Sequence, residues 1–364
     1  MAGERIRVGI VGANVNYGWG TRAHLPALAR SPEFEVRAVC TTRMETARET
    51  AAKFGVPLAF DNADAMANSP EVDLVVVAVR VPSHHDLVMT ALRAGKHVFC
   101  EWPLGANLDE AVAMRDAAHA RGVVHHVGLQ ARGAPVFNQV HDLVANGYLG
   151  TVVSATMLAT GAGAGVRTEQ SAWMVDRAKG ANTLTISAGH NIDALRFCLG
   201  EFREVSAVVS TQLPDITVAE SGQRLTADAP DNVIVDGVLA SGAVVSIHVQ
   251  SVPVHGTGFL FEIHGTEGAI VVRSDAGANT GEMELRAARR GERALESMAL
   301  EEAYRLPPGT PPGPAVNVGQ LYTRLAEAVR GGRAVEPNFD TAVELHQLLD
   351  GIERASATGV RQRL

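Results

Sequence analysis

The sequence predicts an α/β protein in two parts. Residues 1–127 read as a doubly wound, parallel-stranded domain. Residues 128–364 read as an α+β domain built on a large open, mainly antiparallel sheet. Three observations carry this. Up to residue 127, short runs apolar at every position alternate with helical stretches, as strands buried on both faces of a parallel sheet require. The first run ends on a glycine turn that opens a helix. Beyond residue 127 come long β-like stretches, several joined by Gly-containing turns that suit antiparallel pairing.

In order, the apolar runs of the first part are Ile6–Val11, Val36–Cys40, Leu74–Val79, Val98–Cys100 and Val123–Val127. Leu87, Val88, Ala91 and Leu92 form a helical stripe, with Gly95 where a C-terminal cap belongs. Asn107 and Glu110 have capping-box spacing, and Gly122 stops the helix they open. In the second part Val136–Asn146 reads as a helix ended by Gly147. The β stretches are Thr151–Thr160, Glu204–Thr211, Asn232–Leu239, Ala243–Val252, Phe259–His264 and Ala269–Arg273, with turns at Ser241-Gly242 and Gly265–Gly268. Pro307–Pro314 reads as a rigid Pro/Gly loop. Leu345, Leu348, Leu349 and Ile352 give a final helix an apolar face that could pack back on the first domain.

The bulk numbers set limits. Of 364 residues, 46% are apolar, which excludes a disordered chain. A net charge of -8 gives no support to nucleic-acid binding. Cys40, Cys100 and Cys198 are widely spaced in apolar runs. They read as buried free thiols in a reducing, cytoplasmic setting, and no pair has metal-ligand spacing, so no metal is expected. The first strand begins almost at once, leaving no room for a signal peptide, and no apolar run approaches membrane-spanning length.

The turn after the first strand reads Gly12-Ala13-Asn14, then Gly18-Trp19-Gly20, with a helix from about Thr21. A glycine here allows a tight turn, and the helix start offers free amides and a positive dipole end to a pyrophosphate. Asn14 stands where the middle glycine of G-x-G-x-x-G belongs, and the loop is longer. The position between first strand and first helix makes this a Rossmann-type dinucleotide site. The second strand ends Cys40-Thr41-Thr42-Arg43, with no acid to take ribose hydroxyls. Hydroxyls and a guanidinium suit a 2′-phosphate, which favours NADP over NAD.

A set of phrases then follows in one order. His24-Leu25-Pro26-Ala27-Leu28 comes after the turn, and Pro82-Ser83-His84 precedes Ala91-Leu92-Arg93-Ala94-Gly95-Lys96-His97-Val98. Next come Glu101-Trp102-Pro103-Leu104, Arg132, Pro135, Asn146-Gly147-Tyr148-Leu149-Gly150, Gly189-His190-Asn191-Ile192-Asp193 and Gly265-Thr266-Glu267-Gly268. Over essentially its whole length the chain resembles the Gfo/Idh/MocA oxidoreductase family. The resemblance implies a nicotinamide cofactor, a sugar- or polyol-like small-molecule substrate, and homodimers or homotetramers built on the open sheet. It implies cofactor contacts from Gly12, Asn14, Gly18, Trp19, Thr41, Thr42, Arg43, Val79, Pro82, His84, Glu101, Trp102 and Pro103. It implies substrate contacts from Gln130, Arg132, Trp173, His190 and Asp193.

The family's dehydrogenases carry a lysine in an E-K-P motif as proton acceptor. Trp102 takes that place, and an indole N–H cannot accept a proton. The family's acid four residues before His190 is Ile186 here. His190 is left as the catalytic acid–base candidate, with a pKa range suited to it. Asp193 reads as an orienting partner. E-W-P and Thr183–His190 look like the branch that includes the fungal galactose-pathway repressor, a regulator that binds a dinucleotide. Three functions follow: an oxidoreductase, a non-catalytic sensor, or a protein using its cofactor in a redox-neutral reaction. His85, one of the pair His125-His126, and Lys179 are further candidates near a ligand. Lys179 reads as a solvated loop residue, and a cis bond before Pro103 is left open.

Overall fold

The computed structural model describes residues 4–161, 163–278, 282–304, 313–332 and 334–364. The chain forms two compact units, Met1–Gly133 with Gly309–His346, and Ala134–Pro308 with Gln347–Leu364.

The first unit holds a six-stranded sheet, parallel throughout. Its strands are β1 Ile6–Val11, β2 Phe34–Cys40, β3 Leu58–Phe60, β4 Leu74–Val77, β5 His97–Glu101 and β6 His125–Gly128, in the order β3-β2-β1-β4-β5-β6. The order reverses direction between β1 and β4, and that switch point opens a crevice at the carboxyl ends of the strands. The connecting helices are α1 Leu25–Leu28, α2 Met44–Phe54, α3 Ala63–Ala67, α4 His84–Arg93 and α5 Leu108–Arg121. A five-residue wide turn, Gly20–His24, leads into α1. Every residue of β4 is buried, which explains its unbroken apolar run. The sequence did not reveal β3, because its three half-buried residues give no pattern. Asn107 caps α5 by accepting the Glu110 N–H at 2.9 Å. The Glu110 carboxylate takes the Ala106 N–H rather than that of Asn107.

The second unit opens with α6 Pro135–Ala145 and β7 Val152–Thr160. Next come β8 Val166–Arg167, α7 Gly189–Leu199, β9 Phe202–Ser210, β10 Asp215–Val218 and β11 Arg224–Thr226. Then come β12 Asn232–Leu239, β13 Val244–Gln250, β14 Gly258–Gly265, β15 Gly268–Ser274, β16 Glu284–Arg289 and β17 Glu296–Ser297. With β18 Gln362–Arg363 they make a nine-stranded sheet, β17-β16-β15-β14-β7-β13-β12-β9-β18, and β8, β10 and β11 make a small separate one. Among the described residues of the large sheet, only β7 and β13 pair in parallel. One face is apolar and buried, with Val233, Val235, Val245, Ile247, Phe259, Phe261 and Ile263. The helices of this unit contribute to its core, with Phe137 of α6 edge-on to Phe259. The turns at Ser241-Gly242 and Gly265–Gly268 join antiparallel neighbours, as the sequence indicated.

Of Pro307–Pro314, residues 307–312 lie outside the described residues. Pro314 opens α8 Pro314–Gly331, whose Val318, Leu321, Tyr322 and Leu325 enter the core of the first unit beside β1 and β2. The last helix, α9 Phe339–Thr358, buries Leu345, Leu348, Leu349 and Ile352. Among the described residues no helix is long and apolar enough to cross a membrane.

Candidate functional site

The glycine turn lies at the switch point. Gly12 has φ +97°, and a Cβ there would fall 2.2 Å from the Ala78 carbonyl oxygen just beyond β4. Only glycine allows β1 to turn so close to its neighbour. Asn14 belongs to the loop itself: its Oδ1 accepts the Asn16 N–H at 2.9 Å and its carbonyl accepts that of Tyr17. The helical segment beginning at Gly20 has no side-chain cap, so its first amides are available to an anion. The buried Trp19 Nε1–H has no hydrogen-bond partner among the described residues. A cradle that excludes a Cβ, uncapped amides and an orphaned donor together fit a pyrophosphate.

At the end of β2 the structure divides the predicted trio. Thr41 is buried. Its hydroxyl donates to the Arg43 carbonyl at 2.9 Å and lies 2.6 Å from the Thr46 hydroxyl, which locks the turn into α2. Expected at the cofactor, this hydroxyl is engaged within the turn. Thr42 and Arg43 are exposed, and the Arg43 guanidinium makes no hydrogen bond or ion pair among the described residues.

The E-W-P segment follows β5 and is rooted in a buried polar chain. Glu101 Oε1 lies 2.8 Å from His24 Nε2, and Oε2 accepts the Gln130 amide at 2.5 Å. His24 Nδ1 lies 2.8 Å from the Tyr322 hydroxyl. One proton assignment satisfies all of them. Tyr322 donates to Nδ1, and Nε2–H donates to the carboxylate. A Cβ on Gly128 would sit 2.6 Å from both Glu101 oxygens, so β6 leaves room for this carboxylate. Gln130, expected at the substrate, is tied to Glu101. The Trp102–Pro103 bond is cis. Trp102 is 5% exposed, and its ring packs 4.7 Å from that of His346.

His84, expected at the cofactor, is a buried tie. Its Nδ1 and Nε2 lie 2.8 Å and 3.1 Å from the carbonyls of Pro103 and Val79. Burial lowers its pKa, and the single N–H of the neutral ring can donate to only one of these carbonyls. Val79 is half-buried and Pro82 exposed at the end of β4. His85 is on the surface beside Asp86. Arg132 is buried and pairs with Glu336 at 3.0 Å, a structural use of its charge. Of the histidine pair, His126 is fully buried edge-on to Phe99, while His125 stacks on His119. His119, His125 and Asp340 hold metal-ligating atoms within 4.8 Å of one another. Their lone pairs already join three elements. His119 bonds Asp340 at 3.0 Å, and His125 Nδ1 accepts the Phe339 N–H.

In the second unit His190 lies on α7 and is 6% exposed. Asn182 caps the turns that lead to it by accepting the N–H groups of Leu184 and Thr185. Asp193, expected at the substrate, has no exposed surface and lies 3.9 Å from the buried Arg196. Lys179 is exposed, 3.8 Å from Asp176, as a solvated loop lysine would be. A cavity of about 210 Å³ opens beside the turns at 182–187, and no residue of α7, His190 included, is among its lining. Ile186 and Ser187 line it, with Asn182, Arg167, Asp231 and Ser251; Trp173 lies outside the lining. Sequence reasoning missed Arg167. It sits in a two-residue strand that follows the Gly-rich segment 161–165, and no spacing marks it.

Comparison with known proteins gives two family matches. Residues 6–129 match the oxidoreductase family with NAD-binding Rossmann fold, and 135–274 match the Gal80p C-terminal domain. The galactose/lactose metabolism regulatory protein GAL80 of Saccharomyces cerevisiae is 29% identical, covering 75% of this chain and 67% of its own. Dehydrogenase aclE of Aspergillus oryzae is 33% identical, covering 69% and 71%. Levoglucosan dehydrogenase of Pseudarthrobacter phenanthrenivorans is 27% identical over 97% of each chain. The fold matches a levoglucosan dehydrogenase complex with NADH and L-sorbose at TM-score 0.89 and 24% identity, covering 99% and 98%.

Proposed function

Since the chain belongs to the Gfo/Idh/MocA oxidoreductase family with its NAD-binding Rossmann fold, we propose that it is an NAD(P)-dependent oxidoreductase acting on a sugar-like carbinol or carbonyl compound. The observation that carries the reading is the glycine cradle at the switch point between β1 and β4. Gly12, Gly18 and the amides from Trp19 onward would hold the pyrophosphate. Thr42 and Arg43 would take the adenosine end, and the unpartnered Arg43 favours NADP. Val79, Pro82, Glu101, Trp102 and Pro103 are the remaining cofactor candidates. When bound, the cofactor supplies a hydride acceptor or donor at its nicotinamide.

The proton is a separate matter. Trp102 cannot take it, and Ile186 cannot relay it. His190 is the acid–base candidate that remains. Relatives named for dehydrogenation of levoglucosan and for 1,5-anhydro-D-fructose reduction support a sugar-like substrate. The purified protein should bind NADP or NAD by calorimetry and form reduced cofactor with a member of a sugar and polyol panel. His190→Ala should abolish turnover and spare cofactor binding. Absence of dinucleotide binding would sink the reading. Arg43→Ala should weaken NADP far more than NAD.

A second reading rests on the buried Trp102 and on the Gal80p-type C-terminal match. In it the chain is a dinucleotide-binding regulator without turnover. Binding that persists while no panel member reacts would favour it. A homodimer or homotetramer through the open sheet face, and a reducing cytoplasmic setting for three buried free thiols, complete the proposal.

A further inference from the structure

The cavity beside Ile186 contains a cation with donors to spare. Arg167, half-buried on β8, makes one long bond of 3.5 Å to the Val166 carbonyl and no ion pair among the described residues. The acceptors around it are already engaged. Asp231 is 7% exposed, and its two oxygens each accept a backbone N–H at 2.8 Å, from Gln212 and Leu213. The Thr183 and Ser251 hydroxyls are bonded to each other at 2.8 Å. The Asn182 side-chain oxygen caps two amides. Ile186 adds an apolar side chain to the wall, and Asp231 is the one carboxylate among the lining residues.

A guanidinium with free donors beside an apolar wall, where the lining carboxylate Asp231 is turned to two backbone N–H groups, suits an anion. A planar guanidinium grips a carboxylate through two parallel N–H bonds, and a low-polarity wall strengthens that grip. We propose that this cavity receives a carboxylate of the ligand, so that the substrate class is a sugar acid rather than a neutral sugar. This deepens the oxidoreductase reading and rests on it for the word substrate.

The test is calorimetric titration of the full-length protein with D-glucuronate, D-galacturonate and D-gluconate, against D-glucose and D-galactose. At least one acid should bind about tenfold to a hundredfold tighter than its neutral counterpart, the range expected for a charge-assisted pair. Arg167→Gln should erase the difference and Arg167→Lys should restore part of it. Ile186→Asp should weaken the acid and spare the neutral sugar. Arg167 holds no structural ion pair, so these variants test binding rather than folding. Equal or tighter binding of neutral sugars, no binding of any acid, or acid binding unchanged in Arg167→Gln would each overturn the proposal. Acid binding without nicotinamide reduction removes the oxidoreductase reading and keeps this site. Turnover of a neutral sugar, unchanged in Arg167→Gln, does the reverse.

Discussion

Glu101 shows how one buried charge can organise a strand end. Its two oxygens accept from His24 and Gln130, and Tyr322 completes the chain through His24. A buried carboxylate without such donors would cost several kcal/mol. Gly128 is part of the same device, because a Cβ there would overlap both oxygens. Gly128→Ala should therefore lower stability by about 1–3 kcal/mol, the usual cost of overpacking. In a Glu101→Ala background the same change should cost markedly less. Urea unfolding of the two single variants and the double variant measures the coupling. Additive costs would show that Gly128 does not serve Glu101.

Helix caps set the orientation of the candidate site at the level of elements. Asn107 accepts one N–H at the start of α5 on the surface. Asn182 is 5% exposed and accepts two N–H groups, while its own N–H donates to Thr185 Oγ1 at 2.9 Å. Removing it strands buried donors, whereas water can replace the Asn107 side chain. Asn107→Ala should cost about 1 kcal/mol and Asn182→Ala about 2 kcal/mol in urea midpoints. The Asn182 variant should also lower activity, because the turns it caps carry Ile186 and lead into His190.

Across the whole molecule, buried histidines and the open sheet face govern behaviour. Desolvation lowers His125 and His346 to about 4 and His126 to about 3. The folded chain resists protonating them, so the unfolded chain binds more protons below pH about 6.5. Their contribution is complete above that value and is lost as pH falls through 6 and 5 towards 4. Each should remove about 1.4 kcal/mol per pH unit in that window. His126→Phe should flatten the slope of urea stability against pH, and an unchanged slope would exclude His126 as a contributor. The uncovered face of the large sheet bears a directly paired row, Val208, Ile234, His248, Leu158 and Leu260. Val208 is 56% exposed and Ile234 37%, an apolar stripe that a second subunit would cover. Sedimentation should find an oligomer for the native chain and a monomer for Ile234→Arg.

The sequence alone determined the parallel sheet, the glycine turn and most strands of the second unit, because period and burial act locally. It also placed Trp102 and Ile186 where the resemblance expects a lysine and an acid, because a residue's identity is visible in one letter. It could not distinguish Thr41 from Thr42 and Arg43, since facing inward or outward at a strand end depends on a partner five residues on. Nor could it show that α8 enters the core of the first unit, or that Glu101, His24, Gln130 and Tyr322 meet. Those contacts join residues up to 298 positions apart. The same holds for Arg167: its charge is plain in the sequence, but only packing decides that no acid among the described residues pairs with it.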